Sequence, residues 1–306
     1  MSINKEQIEK YLYLAIQSYE DDGGVAGEGW IKLDIPLTSA MIETGYYGSA
    51  YYNNSTGEVI IGHRGTNADN INSFLEDFDD DYNIGTKQLP SQYEVAQNFY
   101  DNVKNYLNNN GLSSHNIVNV GHSLGGTLAQ LVAIANGSEG IAFNSPGVKN
   151  IIPNLEIERG VETGIFSEVD YSGVIINFDN SKDIFSKIGE QVGDIYKLEI
   201  NDGRKGWELL DNHDKDLLYN AISQLTDENF FSRIEEKDLD EYNLTTKDFE
   251  FTKNILDGYN NFTDFQQSLL ENPLQSITTW LQEHNKNIDS FADEMKEIFG
   301  IEKEDF

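Results

Sequence analysis

Apolar residues recur along this chain in two rhythms, and the switches between them predict its elements. Ile8, Leu12, Ala15, Ile16 and Tyr19 fall on one face of a helix near the N-terminus. Gly45 to Tyr52 and Glu58 to His63 then read as two strands joined by the turn 53–57. A polar, acidic stretch follows from Asn67 to Gln88. A second helix runs from about Ser91 to Asn110, with Val95, Phe99, Val103 and Leu107 four apart and Gly111 as its stop. Ile117, Val118 and Val120 form a short buried strand, and Leu128, Leu131, Val132 and Ala135 share a helix face directly after it. Gly140 to Asn144, Val174 to Phe178 and Ile195 to Ile200 read as further strands. This alternation predicts an α/β fold, with a mainly parallel central sheet flanked by helices. From Asp227 onward the pattern is helical and rich in Asp, Glu, Asn and Gln, with Phe251, Ile255, Tyr259, Phe262, Phe265, Leu269 and Leu270 as its apolar face. Residues 1–226 are therefore read as one α/β domain. Residues 227–306 are read as a helical acidic C-terminal region: a cap, a lid, or an arm for an export chaperone or another protein partner.

Composition narrows the class. The chain has 306 residues, enough for one large α/β domain with an appendage, and its 38% apolar and 11% aromatic content can fill a core despite the polar average. A formal charge of −32 argues against nucleic acid and anionic membrane surfaces as simple electrostatic partners. With no cysteine, disulfides and thiolate metal sites are excluded. The N-terminal residues lack a cationic start followed by an apolar run, and no apolar stretch is long enough to cross a bilayer. The expectation is a protein that is cytoplasmic, or secreted without a cleaved N-terminal signal.

The densest chemistry lies in IVNVGHSLGGTLAQLVAIANG, Ile117 to Gly137. Gly121-His122-Ser123-Leu124-Gly125 is a G-x-S-x-G between a strand and a helix, the context of a nucleophile elbow. Glycines on both sides let backbone elements approach closely, so Ser123 can take strained angles and raise its hydroxyl above the sheet. The helix N-terminus offers unpaired N–H groups, starting near Leu124, for a developing oxyanion.

A nucleophilic serine needs a base and an orienting acid. In hydrolase chain order the serine comes first, then Asp or Glu, then His. Of five histidines, His63 and His115 precede Ser123, and His122 lies inside the elbow, where it is expected to point away from the pocket. His213 and His284 remain. His213, in the loop after the last predicted strand, is preferred as base, because His284 falls in a helical pattern. The acid should follow the strand Val174 to Phe178. Asp179 and Asp183 both qualify, with Asp183 preferred and Asp194 more distant. Ile60 to Thr66 ends a strand with Arg-Gly-Thr, where a Thr66 backbone N–H would supply a second oxyanion donor opposite Leu124. Arg64 is read as a support for that strand end, pairing with an acid of the Glu76–Asp81 run.

The blocks GHRGT and GHSLGGTLAQ, with Gly45 to Tyr51 and Thr56 to Ile60 upstream and Ile141-Ala142-Phe143-Asn144-Ser145-Pro146-Gly147 downstream, resemble the class 3 lipase family of α/β-hydrolases. More narrowly, the chain is similar to bacterial lipase-like proteins related to phospholipase A1. The match runs over about Tyr11 to His213 and thins after Gly147. It implies an α/β-hydrolase fold and hydrolysis of lipid carboxyl esters with no cofactor. Ser123 would be the nucleophile, an Asp and a His would complete the triad, and Thr66 would line the oxyanion hole. The substrate implied is a lipid or phospholipid ester, met transiently at a membrane or micelle surface. His63 stands where the family commonly has an aromatic residue, which alters the packing behind the oxyanion hole.

Other chemistries fit less well. Asp77-Phe78-Asp79-Asp80-Asp81-Tyr82-Asn83 offers alternating oxygens, but Tyr82 replaces the glycine and Gln88 the bidentate glutamate of a calcium-binding EF-hand. A solvated loop is therefore expected there, with a looser calcium site as the alternative; no zinc spacing or phosphate-binding loop is present, and no metal is assigned to the site. An acyltransferase or thioesterase with the same three residues, or a silent binding or effector module on the same fold, are the alternative functions.

Overall fold

The computed structural model describes residues 4–20, 24, 27–65, 89–112, 116–183, 185–198, 200, 213–224 and 231–234. Among these, eight strands form one sheet in sequence order: β1 (Trp30–Lys32), β2 (Gly48–Asn53), β3 (Glu58–His63), β4 (Asn116–His122), β5 (Glu139–Phe143), β6 (Ile175–Asn180), β7 (Asp194–Leu198) and β8 (Phe231–Arg233). β3 to β7 run parallel, with Gly62 opposite Val120, Val120 opposite Ile141, and Ile141 opposite Ile176. β1, β2 and β8 pair antiparallel at the two edges.

Alternation along the strands divides the core into two layers. On one face Ile60, Val118, Val120, Ile141, Phe143, Ile176 and Phe178 meet helix α1 (Lys5–Gln17) through Ile8, Leu12 and Ala15. The last described helix, α6 (Lys215–Gln224), adds Leu218 and Ile222 to this face. On the other face Val59, Ile61 and Ile175 meet α2 (Ser39–Glu43), α3 (Tyr93–Asn109), α4 (Leu124–Asn136) and α5 (Ile152–Glu158). A sheet covered by helices on both sides is the setting in which long parallel strands are stable, because neither face is left to water. This is the α/β-hydrolase architecture.

Local sequence explains where the helices start. Asn4 accepts the Gln7 N–H at 2.9 Å, and the Gln7 side chain returns to the Asn4 N–H at 3.2 Å, closing a capping box at α1. Thr38 caps α2 through the Met41 N–H.

Five elements, β1, α2, α5, α6 and β8, have no counterpart in the sequence pattern. β1 is a three-residue edge strand, α2 has five residues, and both are too short to show a period. β8 lies beyond Thr226, in the region read as helical, and joins the sheet through Leu198–Phe231 pairing and the Ile234 N–H to Ile195 carbonyl bond at 2.9 Å. Arg233 also forms an ion pair with Asp194 there. No described helix is long and apolar enough to cross a membrane. Residues 235–306, where the apolar face from Phe251 to Leu270 was read, lie outside the described residues.

Candidate active site

Ser123 sits between the last residue of β4 and the first residue of α4, with φ 59° and ψ −133°. Such angles cost a non-glycine residue about 1–3 kcal/mol, so the surroundings must enforce them. The Ser123 N–H donates to the Phe143 carbonyl at 3.0 Å, and the Ser123 carbonyl accepts from Gly126 N–H at 2.9 Å. Glycine is required on both sides for close approach. A Cβ on Gly121 would strike the Gly125 carbonyl, and one on Gly125 would strike the His63 carbonyl and come within 2.7 Å of the Gly65 nitrogen. Four backbone segments thus meet around one serine.

The Ser123 hydroxyl oxygen is 2.9 Å from His213 Nε2, and His213 Nδ1 is 3.0 Å from Asp183 Oδ1. All three residues are buried. Asp183 follows β6, and its second oxygen accepts the Ser186 N–H at 2.9 Å, which anchors the carboxylate. With Nδ1 donating to the carboxylate, Nε2 is left to accept the serine proton. The Phe185 ring lies against His213 with centroids 4.5 Å apart and limits its rotation. Lys187, in the turn Phe185–Lys187, lies in the field of the same carboxylates. Burial pushes its ammonium pKa down, while Asp183 and Asp179 pull it back up.

The structure therefore brings together Ser123, Asp183 and His213, and leaves the other candidate acids elsewhere. Asp179 is inside β6 and fully buried, away from the imidazole nitrogens that Ser123 and Asp183 occupy. Asp194 begins β7, at the opposite end of the sheet, where it accepts from Gly173 N–H and pairs with Arg233. Leu124 is the first residue of α4, where an N–H has no acceptor within the helix. Thr66, His115, His284 and the acidic run from Asp77 to Asn83 lie outside the described residues. No group of three or more metal-ligating side chains occurs among the described residues.

Two histidines from the motif blocks, neither of them a candidate for the base, lie behind the site. His63 is fully buried, with Nδ1 2.9 Å from the Tyr46 hydroxyl and Nε2 3.2 Å from Asn119 Oδ1. Desolvation lowers its pKa to about 4, so it is a neutral spacer between β3 and β4. His122 stays on the α1 face of β4, yet its ring reaches His213 with centroids 4.7 Å apart. Arg64 stacks on the Tyr47 ring at 3.5 Å, and its guanidinium donates to the Tyr19 carbonyl at 3.5 Å.

No match is found among curated proteins. Among solved structures the chain is similar to the Lip2 lipase of Yarrowia lipolytica, at 17% identity and a TM-score of 0.39 over 61% of this chain and 76% of that one. It is also similar to a triacylglycerol lipase of Penicillium expansum, at 13% identity and a TM-score of 0.43 over 63% of this chain and 79% of that one. Residues 32–191, more than half of the chain and including the whole elbow and Asp183, match the Tle-like phospholipase domain, and the chain belongs to that phospholipase-like family.

Proposed function

We propose that the protein is a serine hydrolase that cleaves carboxyl esters of acyl lipids, with phospholipids as its substrate class. The carrying observation is the hydrogen-bonded row Ser123–His213–Asp183 at the strand-to-helix elbow. Family membership supports the substrate class.

The chemistry follows from the row. The Ser123 hydroxyl attacks the ester carbonyl while its proton passes to His213 Nε2. Asp183, accepting from Nδ1, stabilises the imidazolium that forms and holds the ring in the productive tautomer. The tetrahedral oxyanion is met by the Leu124 N–H, at the positive end of α4, and by the Thr66 N–H. Collapse expels the alcohol, a lysophospholipid when the substrate is a phospholipid, with the proton from His213. Water then attacks the acyl-serine, again through His213, and releases the fatty acid. No step requires a metal or cofactor, and the ester is drawn from a membrane or micelle surface.

A lipid panel and an active-site label test this together. Purified protein should release fatty acid from phospholipid micelles, and a fluorophosphonate should label Ser123. The Ser123→Ala variant should lose both while keeping its circular dichroism and melting temperature. Turnover that survives in Ser123→Ala would sink the assignment. Folded wild-type protein that neither labels nor hydrolyses would favour a silent binding module on this fold.

A further inference from the structure

β4 carries Val118, Val120 and His122 on the α1 face of the sheet, so an imidazole occupies the third place in an otherwise aliphatic row. Burying a polar ring there is costly unless both nitrogens are satisfied. Nε2 lies 2.7 Å from the main-chain carbonyl oxygen of His213, and Nδ1 lies 3.1 Å from the Tyr19 hydroxyl. A carbonyl can only accept, so Nε2 carries the proton and Nδ1 accepts from Tyr19.

Tyr19, just past the end of α1, serves more than one neighbour. The Gly65 backbone packs against its hydroxyl so closely that a Cβ there would strike it, and Lys215, the first residue of α6, lies over its ring at 4.7 Å. Gly65 immediately precedes Thr66, and Lys215 follows His213 by two residues. One tyrosine and one histidine therefore touch the elbow, the end of β3 and the segment that carries the base.

We propose that His122 and Tyr19 are positioning residues, which hold the His213 backbone and the end of β3 in register with Ser123 without touching substrate. This role rests on the reading of Ser123 and His213 as nucleophile and base. The elbow sets where the serine is. His122, one residue before it, then ties the base's own main chain to the same strand, so nucleophile and base share one reference point. Burial pushes the His122 pKa well down, and the neighbouring His213 lowers it further. The ring thus stays uncharged beside an imidazole that becomes cationic during each turnover.

The test compares three variants of the full chain. In His122→Phe the shape remains and the donor to the His213 carbonyl is lost. In His122→Gln the carboxamide N–H can replace Nε2–H. In Tyr19→Phe the Nδ1 donor is lost while the fold contacts of the ring remain. His122→Phe should lower kcat on phospholipid micelles on the order of 100-fold, the scale of a misplacement of about 1 Å, with KM unchanged. His122→Gln should recover most of that loss, and Tyr19→Phe should fall between the two. The downfield Nδ1 proton resonance of His213 should shift in His122→Phe and return in His122→Gln. A His122→Phe enzyme with full kcat, or a His122→Gln variant as impaired as His122→Phe, would overturn the positioning role. Should His122→Phe not fold, Tyr19→Phe with unchanged kcat would overturn it equally. If wild-type protein turned over no ester while the His213 resonance still followed His122, the hydrolase reading would fail and the positioning role would stand.

Discussion

Ser123 and His213 meet at 2.9 Å, and the chain brings them there by different means. The serine is placed by its immediate neighbours: a strand that ends, a helix that begins one residue later, and glycines where other backbones press in. The histidine, among the described residues, is held by groups distant in sequence. It is placed from afar, by a carboxylate thirty residues back at 3.0 Å and by the imidazole of His122, ninety-one residues back, at 2.7 Å. A locally encoded group can be read from a short string, whereas a group held by tertiary bonds can be disabled without any change near it in sequence. The two halves should therefore fail differently when perturbed.

The largest effect is expected on the base side. Asp183→Asn keeps the shape but removes the charge that holds the His213 tautomer, and kcat should fall about 10⁴-fold, the scale of that replacement in a serine–histidine–aspartate row. Asp179→Asn, the same change in a buried aspartate inside β6, four residues earlier, should lower kcat less than ten-fold. Steady-state rates on one micellar substrate settle the ranking, and equal losses would show that Asp183 has no special claim. Neither change should prevent fluorophosphonate access to Ser123, although labelling should slow in Asp183→Asn as the base weakens.

The elbow should fail through stability instead. Gly121→Ala places a methyl group against the Gly125 carbonyl, a backbone atom fixed by the first turn of α4. Either β4 and α4 separate or Ser123 leaves its strained angles, and the cost should be about 3 kcal/mol. Urea unfolding measures it directly. A Gly121→Ala protein as stable as wild type would mean that the strand-to-helix contact is looser than the structure has it.

This division also accounts for what could be read in advance. The elbow, the parallel order and the two-layer core follow from periodicity and from one string of residues, because each is repeated or contiguous. The choice between Asp179 and Asp183 did not follow, for a specific reason. β6 continues to Asn180 by pairing with Leu198, two residues past the predicted strand end at Phe178, and this absorbs Asp179 into the ladder. Only the next turn frees a carboxylate to reach the imidazole. His122 was set aside because its side chain leaves the pocket face. Its use there depends on Tyr19 and His213, which sequence distance conceals. A polar residue in the row Val118, Val120, His122 was the available signal.

The elbow side also depends on pH, through His63 among its buried histidines, and this sharpens the comparison at a smaller scale. β4 is joined to β3 not only by the ladder but by the His63–Asn119 hydrogen bond, and His63 is neutral with its pKa depressed to about 4. In the unfolded chain the same imidazole protonates near pH 6.5. Between those values the unfolded state binds a proton that the folded state refuses, so stability falls as pH drops from 6.5 towards 4. Below 4 both states are protonated and this loss stops growing. Each such group adds a slope of about 1.4 kcal/mol per pH unit within the window, or on the order of 2 kcal/mol at pH 5 relative to neutral pH. His63→Gln removes the titration while keeping a side chain able to hydrogen-bond Asn119 or Tyr46. It should lower stability at pH 7 and flatten the decline between pH 6.5 and 5 by about that slope. Urea unfolding at both pH values, for wild type and variant, gives the difference. Parallel curves would mean that His63 is not held neutral, and that the bond beneath the elbow survives protonation.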